Sequence, residues 1–343
     1  MNKNQNSSNI IEVVAPAKLN FTFEITGLLP GGYHEVRTLM STIALADQLS
    51  FAFSPSREPS VNLSLAKDGF KGEFPLGGDN LIARAARLYL SSIDNPRSLQ
   101  IDVTIEKDIP IGAGMAGGSA NAAATLLAMN QYFNGQLSST KMLELAGKLG
   151  ADVPFCLVGG LRVGTGRGDV LTDALPMAES VHLVIAKPRH LSISTPWVYQ
   201  AYDQASEIFH LHEKLQDRYM TDALPGDFAA QYLGDGNLAE SLKAFGNDFE
   251  QVVFPHYQEL KDIKQTFLKL GALACHMTGS GPTIFAVVAS GEAAEMLKRD
   301  FYEQYCQANE IACATKYDPI DLWVTSTIDD GAKVLAVSSP ETD

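Results

Sequence analysis

Residues 110–121 read PIGAGMAGGSAN, and this stretch restricts the fold more than any other. Four of its twelve positions are glycine and three are alanine. The segment that follows has apolar residues at helical spacing, which predicts a helix: Ala122, Leu126, Met129 and Phe133. Glycine lets a ligand approach the backbone, and free N–H groups at a helix start attract anions. The stretch therefore predicts an anion-binding loop, although a packed helix start capped by Ser119 would use the same residues.

Three known phosphate-binding loops can be compared with it. GAGMAG at 112–117 matches the dinucleotide pattern G-x-G-x-x-G. That pattern needs a buried parallel strand directly before it and an acidic residue about 20 positions later. Here the preceding strand alternates apolar and polar residues, Pro110 intervenes, and Tyr132 and Phe133 occupy the later position. A P-loop would need Gly-Lys-Ser/Thr, and a protein-kinase loop would need H-R-D and D-F-G motifs. A dehydrogenase is thus the least supported class, and the loop alone indicates only an anion.

Composition limits the partners. The chain has 343 residues, 45% of them apolar, which suits about two globular domains. A net charge of −14 opposes nucleic acid or an anionic membrane as partner. The four cysteines and the histidines show no metal-ligand spacing, and His210 and His212 would not share a helix face. The polar start and the lack of an apolar run of about 20 residues favour a cytoplasmic protein.

The order of strand and helix patterns predicts an α+β protein. We expect a disordered tail at 1–10, an N-terminal domain at 11–175, and a C-terminal domain at 176–343. The turn-rich stretch 217–237 is interpreted as a possible insertion. Asn80 is placed to cap a helix, 100–106 alternates like an edge or half-exposed strand, and LGADVPFCLVGG reads as the end of a helix and a turn.

Three stretches carry a family resemblance: APAKLNFTFEITGLLPGGYHEVRTLM at 15–40, PIGAGMAGGSANAAATLLAMN at 110–130 and HMTGSGPTIFAV at 276–287. In this order they resemble the GHMP kinase superfamily of small-molecule ATP kinases. PAKLN, GGYHEV, GADVPF, STPWVY and GNDFE are most similar to the branch that phosphorylates 4-diphosphocytidyl-2-C-methyl-D-erythritol in the non-mevalonate isoprenoid pathway. The resemblance implies a two-domain fold with mixed and antiparallel sheets and an active site in the cleft between the domains.

The resemblance also implies a catalytic pair. Lys18 would polarise the acceptor hydroxyl, and Asp152 would be the base that accepts its proton. Without the resemblance, Lys18 is equally a strand lysine reaching solvent, and Asp152 a turn or cap residue before Pro154. A carboxylate beside a lysine ammonium is held in its ionised form, which suits a base.

Binding roles follow from the same resemblance. Tyr33 and Tyr199 would enclose a cytosine whose edge His34 recognises, although the family pattern has phenylalanine at the position of Tyr199. Asn20 and Thr195 would contact the methylerythritol end, beside Gly279, Ser280 and Gly281. ATP, with Mg²⁺ on ligands that the sequence does not identify, would be bound by eleven residues: Pro110, Ile111, Gly112, Ala113, Gly114, Met115, Ala116, Gly117, Gly118, Ser119 and Ala120.

The function expected from the sequence is ATP-dependent phosphorylation of the 2-hydroxyl of that cytidylated polyol. Two alternatives remain open: another GHMP kinase acting on homoserine or a mevalonate-like alcohol, and a sensor with the same fold that binds ligands without transferring phosphate. The expected partner is a small molecule, with no nucleic acid and no membrane, and the expected assembly is a monomer or a weak homodimer.

Overall fold

The computed structural model describes residues 9–66, 74–94, 96–209, 224–308 and 319–338. The expected tail lies outside the described residues up to position 8, and Asn9 already begins a strand. The strands, in chain order, are β1 Asn9–Asn20, β2 Thr22–Leu28, β3 His34–Pro55, β4 Ser60–Leu65, β5 Leu99–Glu106, β6 Leu161–Thr165, β7 Val170–Leu171, β8 His182–Pro188, β9 Gly246–Asn247, β10 Ala274–Met277, β11 Ile284–Val288, β12 Ile320–Ile328 and β13 Lys333–Ser338.

The helices cover the faces of the strands. They are α1 Leu81–Leu90, α2 Gly117–Tyr132, α3 Ser139–Leu149, α4 Val153–Val158, α5 Thr195–Phe209, α6 Pro225–Gly234, α7 Leu238–Leu242, α8 Glu250–Val253, α9 Gln258–Lys269 and α10 Gly291–Ala308. In the described part of the chain, no helix has the length and apolar character needed to cross a membrane.

One hydrogen-bonded sheet system runs through the molecule. Its main path is β10-β11-β8-β12-β3-β1-β13. Strand β3 has 22 residues and also pairs with β2, β5 and β6, so it is the hub of the sheet. Most pairs are antiparallel, while β4–β5 and β2–β9 are parallel. The expected α+β class with mixed sheets is confirmed.

The buried apolar residues form two clusters. The first is built around β1, β3, β5 and α2, and it includes Phe51, Val103 and Met129. The second lies among β8, β11, α5, α9 and α10, and it includes Phe267 and Phe301. The first cluster also takes residues from α6 and β11, so it draws on both halves of the sequence. A boundary at 175 stays a prediction.

Several local predictions are confirmed. Asn80 is the N-cap of α1, and its Oδ1 accepts a hydrogen bond from the Ile82 N–H at 2.9 Å. The predicted stripe on α2 is buried, and Gly135 follows the helix end with a φ of 73°. The exposure of β5 alternates as expected, but β5 is not an edge strand, because β4 pairs with it on one side and β3 on the other.

Two local predictions are wrong. The segment after Gly150 is helix α4 rather than a turn, because Pro154 falls in the first turn, where its missing N–H costs nothing. The interpretation of 217–237 as turn-rich also fails, because its described part, from 224 on, contains helix α6, while residues 217–223 lie outside the described residues. That the stretch is an insertion stays a prediction. Ala229, Ala230 and Leu233 of α6 join the first core, so this part is integral to the fold.

Candidate active site

A single cavity of about 1260 Å³ brings most of the predicted site residues together. Its walls come from both halves of the sequence, as the expected cleft requires. The predicted residues that line it are Lys18, Asn20, Tyr33, His34, Pro110, Ile111, Gly112, Ala113, Gly114, Ala116, Gly117, Gly118, Ser119, Asp152, Thr195, Tyr199, Gly279, Ser280 and Gly281. Met115 and Ala120 do not line it, because their side chains are buried in the first core.

The glycine-rich loop reaches the cavity through its backbone. Gly112 and Gly114 have positive φ, and Ala116, the N-cap of α2, has a left-handed φ of 58°. No side chain caps α2, so the interpretation of Ser119 as its cap is wrong. A Cβ on Gly114 would lie 2.6 Å from the Thr278 carbonyl oxygen. Glycine is therefore required where this loop packs against the second glycine loop, residues 278–283. Within the described ranges, no side chain accepts a hydrogen bond at the start of α2.

Lys18 and Asp152 meet in this cavity although they are far apart in the sequence. The Lys18 Nζ lies 3.5 Å from the Asp152 Oδ1. The side chain of Lys18 is 5% exposed and that of Asp152 is 42% exposed. The ammonium group is thus fixed inside the wall, and the carboxylate faces open space where a substrate hydroxyl can reach it.

A hydrogen-bond network fixes Lys18. Its Nζ donates to the Asn20 Oδ1 at 2.5 Å, and the Asn20 Nδ2 donates to the Thr38 Oγ1 at 2.7 Å. The Asn20 backbone N–H donates to the Thr278 Oγ1 at 3.0 Å, which links β1 to the second glycine loop. The pairing of β1 with β3 shifts register between Pro16 and Lys18. Such irregularities re-aim side chains. Asn20, predicted as a substrate contact, is thus already bonded to the lysine.

The side chain of Asp152 does not cap the helix that follows it. It occupies the N-cap position of α4 with helical backbone angles, and its side chain makes no capping hydrogen bond. A cap carboxylate would be committed to backbone N–H groups. The interpretation of Asp152 as a cap therefore fails, although the residue does lie in a turn before Pro154, and its oxygen atoms remain available to a ligand.

The other end of the cavity is aromatic. The rings of His34 and Tyr199 are stacked with centroids 4.8 Å apart, and the rings of Phe249 and Tyr199 are nearly perpendicular with centroids 4.9 Å apart. Tyr33 is 60% exposed, and the Arg167 guanidinium lies 5.6 Å from its ring centroid. One face of Tyr199 is therefore covered by His34, so a base enclosed by Tyr33 and Tyr199 would use the opposite face.

Tyr199 lies between the aromatic end of the cavity and the Lys18–Asp152 pair. Burial, followed by the negative charge of Asp152, raises the pKa of Tyr199 to about 12. The phenol thus stays neutral at physiological pH and lies within electrostatic reach of the carboxylate. The glycine loop, Lys18, Asp152, Tyr199 and His34 thus all line the same cavity.

Of the cavity residues that were not identified from the sequence, two carry charge beside the aromatic end. The Asp203 Oδ1 lies 2.6 Å from the His34 Nε2, and Arg167 pairs with Asp169 at 2.6 Å beside Tyr33. Asp203 stands four positions after Tyr199 on α5, so a helical interpretation of that segment would have put both side chains on one face. Arg167 lies in the β6–β7 hairpin and had no comparable sequence signal.

A buried ion pair supports the glycine loop from below. The Lys107 Nζ lies 2.7 Å from the Asp47 Oδ2, with side chains 2% and 0% exposed. The Asp47 Oδ1 accepts the N–H groups of Asp108 and Ile109 at 2.9 and 2.8 Å. Burial lowers the pKa of Lys107 and raises the pKa of Asp47. This pair holds the backbone that leads into Pro110.

The GNDFE motif supports the second glycine loop. The Asn247 Nδ2 donates to the carbonyl oxygens of Met277 and Gly279 at 2.7 and 2.8 Å. The Glu250 Oε1 accepts the Met277 N–H at 2.8 Å. Asn247 is not the N-cap of α8, which is Phe249. The motif thus holds the second glycine loop in place and does not cap a helix.

The cavity suits a metal ion carried by phosphate groups. In the described ranges, no group of three or more His, Cys, Asp or Glu side chains is placed to hold a metal, and His210 and His212 lie outside those ranges. Mg²⁺ commonly binds through one or two carboxylates together with substrate phosphates. The exposed carboxylate of Asp152 and the hydroxyl of Ser119 line the same cavity and fit that mode.

Comparisons with known proteins agree on the family. Residues 80–160 match the GHMP kinases N terminal domain, and residues 229–306 match the GHMP kinases C terminal family. A 4-diphosphocytidyl-2-C-methyl-D-erythritol kinase of Synechococcus sp. strain JA-2-3B'a(2-13) is 38% identical, covering 85% of this chain and 90% of its own length. The kinase of the same name from Synechocystis sp. strain PCC 6803 is 33% identical, covering 94% and 97%.

Solved structures show the same fold. A crystal structure of 4-(cytidine 5'-diphospho)-2C-methyl-D-erythritol kinase has a TM-score of 0.69 at 28% identity, covering 92% of this chain and 98% of that one. A mevalonate kinase of L. major has a TM-score of 0.68 at 17% identity, with 95% and 98% covered, so fold alone does not separate the acceptor alcohols. The chain has the two-domain GHMP kinase fold, and it belongs to the 4-diphosphocytidyl-2-C-methyl-D-erythritol kinase family of small-molecule kinases.

Proposed function

We propose that the protein transfers the γ-phosphoryl group of ATP to the 2-hydroxyl of 4-diphosphocytidyl-2-C-methyl-D-erythritol. The observation that carries this proposal is that the Lys18 Nζ lies 3.5 Å from the carboxylate of Asp152, which is exposed and makes no capping hydrogen bond. The sequence relatives of this chain carry the name of that kinase over most of its length, which supports the choice of acceptor.

The arrangement of the cavity suits the two substrates. The glycine loop offers backbone N–H groups to a triphosphate at the start of α2. Tyr33, His34 and Tyr199 offer aromatic surface and a polar ring edge to a nucleobase. Because Lys18 and Asp152 lie between these ends, the acceptor hydroxyl and the γ-phosphate would meet beside them.

The chemistry follows from the pair. Asp152 accepts the proton of the acceptor hydroxyl, whose oxygen forms a bond to the γ-phosphorus. The bond from that phosphorus to the β–γ bridging oxygen breaks, and ADP leaves. Lys18 stabilises the negative charge on the hydroxyl oxygen, and its network with Asn20 and Thr38 keeps it in position without reorganisation. Catalysis of this kind rests mainly on positioning and electrostatic stabilisation.

Mg²⁺ belongs to this proposal as the ion that accompanies ATP. When bound, it would neutralise charge on the phosphate oxygens, and Ser119 and Asp152 are the residues suited to its coordination sphere. We also propose a cytoplasmic location and a monomer or weak homodimer. Among the described cysteines, Cys156 and Cys275 are free thiols, which suits a reducing compartment.

A coupled assay of ADP release tests the function. Purified protein with ATP and Mg²⁺ is offered 4-diphosphocytidyl-2-C-methyl-D-erythritol, mevalonate, homoserine and galactose in parallel. We expect turnover with the cytidylated polyol alone. Turnover with homoserine or mevalonate instead would assign another GHMP kinase activity. Binding of the cytidylated polyol without any ADP release would identify a non-catalytic sensor.

A further inference from the structure

The β6–β7 hairpin places an arginine, Arg167, in the wall of the cavity. We propose that Arg167 binds the diphosphate group that joins the cytidine to the polyol of the acceptor, and that Asp169 and Tyr33 hold its guanidinium group in position. The inference rests on the proposed function, because that function supplies an acceptor in which two phosphates separate the nucleobase from the reacting hydroxyl.

The first step concerns which cations of the cavity are available to a ligand. Within the described ranges, the lysine and arginine side chains that line the cavity are Lys18, Lys107 and Arg167. Lys18 and Lys107 are buried, and their ammonium groups donate hydrogen bonds to Asn20 and Asp47. The Arg167 side chain is 43% exposed. A phosphate group in the cavity therefore reaches Arg167 without displacing a buried contact.

The second step concerns where the hairpin lies. The Arg167 guanidinium is 5.6 Å from the ring centroid of Tyr33, at the aromatic end of the cavity. A Cβ built on the next residue, Gly168, would lie 3.9 Å from the Thr38 Cγ2. Thr38 belongs to the hydrogen-bond network that fixes Lys18. The hairpin thus borders both the aromatic end and the network around the lysine, so an acceptor that extends from one to the other lies beside it.

The third step is the hydrogen-bonding capacity of the guanidinium group. The Arg167 Nη2 donates to the Asp169 Oδ2 at 2.6 Å. An arginine side chain has five N–H donors, and this ion pair at 2.6 Å uses one of them, so donors remain for phosphate oxygens. The ion pair and the Tyr33 ring restrain the guanidinium plane before a ligand binds. A planar guanidinium matches phosphate oxygens through paired hydrogen bonds, which suits a diphosphate.

Binding of a ligand series tests the inference. Isothermal titration calorimetry with cytidine, CMP and CDP is carried out with saturating AMP-PNP and Mg²⁺, which keep the ATP site filled. The proteins are the wild type, Arg167→Gln and Arg299→Gln. Arg299 is an exposed arginine of α10 that pairs with the adjacent Asp300 and does not line the cavity, so its variant controls for the loss of one positive charge.

We expect Arg167→Gln to bind cytidine as the wild type does and to lose about tenfold of the affinity for CDP, the scale of one hydrogen bond between charged groups. Arg299→Gln should bind all three ligands like the wild type. Equal losses for cytidine and CDP would mean that Arg167 only supports Tyr33, and an unchanged affinity for CDP would mean that it contacts no phosphate. Either result overturns the inference.

Steady-state ADP release separates this inference from the proposed function. With the cytidylated polyol as acceptor, Arg167→Gln should raise the KM for the acceptor about tenfold and leave kcat and the KM for ATP nearly unchanged. A wild type that turns over this acceptor, with an unchanged acceptor KM in Arg167→Gln or a rise in the KM for ATP alone, overturns the inference and leaves the proposed function standing. A wild type that turns over none of the four alcohols overturns both.

Discussion

Two lysine–aspartate pairs border the same cavity, and they differ in how the carboxylate is used. Asp47 is fully buried, and its oxygens are committed to Lys107 and to two backbone N–H groups. Asp152 is 42% exposed, lies 3.5 Å from Lys18 and caps nothing. The same two residue types thus form a support in one place and a candidate reactive site in the other. The hydrogen-bonding capacity left on the carboxylate, rather than the presence of an ion pair, separates the two.

The largest effect is expected at the Lys18–Asp152 pair, whose carboxylate is exposed. Asp152→Asn keeps the shape of the side chain and removes its basicity, so turnover should fall by about 10² to 10⁴-fold, the usual contribution of a general base. Binding of the acceptor should change little, because the shape of the side chain is kept. The loss of stability should be smaller than for a fully buried pair, because Asp152 is 42% exposed and Lys18 keeps its hydrogen bond to Asn20. Steady-state ADP release and calorimetry measure these quantities. Turnover near that of the wild type would remove Asp152 as the base.

A substitution in the buried Lys107–Asp47 pair should lower the stability of the fold. Asp47→Asn leaves the Lys107 ammonium buried without its counter-charge, and losses of this kind are about 3–5 kcal/mol in the free energy of unfolding. Urea denaturation measures the loss. The double variant Asp47→Asn with Lys107→Met removes the stranded charge and should recover part of it. An unchanged free energy of unfolding in Asp47→Asn would mean that the pair supports nothing.

Variants of the neighbouring Gly117 and Gly118 should distinguish packing of the loop from contact with ATP, with smaller expected effects. A Cβ on Gly117 would lie 2.9 Å from the Ile109 Cγ2, whereas one on Gly118 would meet only the Leu81 Cδ1 at 3.5 Å. Gly117→Ala should therefore lose about 1–3 kcal/mol of stability through overpacking, and Gly118→Ala should lose none. Both residues line the cavity, so ATP affinity should fall in both variants.

Calorimetric titration with ATP and urea denaturation of the two variants check this comparison. Wild-type ATP affinity in Gly118→Ala would indicate that the start of α2 is packing and not a phosphate cradle. For the same reason Gly117→Val is a poor probe of the cradle, since its larger side chain would also press on Ile109 and Lys107.

The smallest effect is expected for two tyrosines, Tyr89 in the first core and Tyr199 near Asp152. Burial raises the pKa of Tyr89 to about 12, and burial with the charge of Asp152 raises the pKa of Tyr199 to about 12. The folded state holds each phenol proton to higher pH than the unfolded chain does. The stability from these groups is present below about pH 10 and is lost as the pH rises towards 12.

Denaturation between about pH 8 and pH 12 should thus show a decline that is shallower in Tyr89→Phe. A phenolate absorbance titration of Asp152→Asn should show one tyrosine ionising at lower pH than in the wild type, because the nearby negative charge is gone. An identical titration curve would contradict the proximity of Asp152 and Tyr199.

Sequence reasoning succeeded where the signal was local. The capping role of Asn80, the buried stripe of α2 and the alternation of β5 follow from neighbours within a few positions, and all three are confirmed. It failed at α4 and α6, where proline and glycine looked like turn residues but occupy first turns of helices. Tertiary packing decides such short segments, and the local pattern does not contain it.

The site residues also divide into those that were predicted and those that were missed. The resemblance brought Lys18 and Asp152 into one prediction, and the structure places them side by side. It could not find Asp47, Lys107 or Asp203, since their roles depend on partners that are 60 to 169 positions away in the chain. Nor could it separate Met115 and Ala120 from the cavity-lining residues around them, because which side chains of a loop face inward is a property of the fold.

The pairing of β12 with both β8 and β3 has a consequence for dissecting the protein. Thr42 of β3 lies opposite Lys18 on one side and Ile328 on the other, so β3 ties the strand that carries the proposed catalytic lysine to a strand from the far end of the sequence. Expression of residues 1–175 alone would leave β3 without that partner and expose core surface normally covered by α6. We therefore expect the two halves to fold as one unit, and neither half should yield a stable fragment.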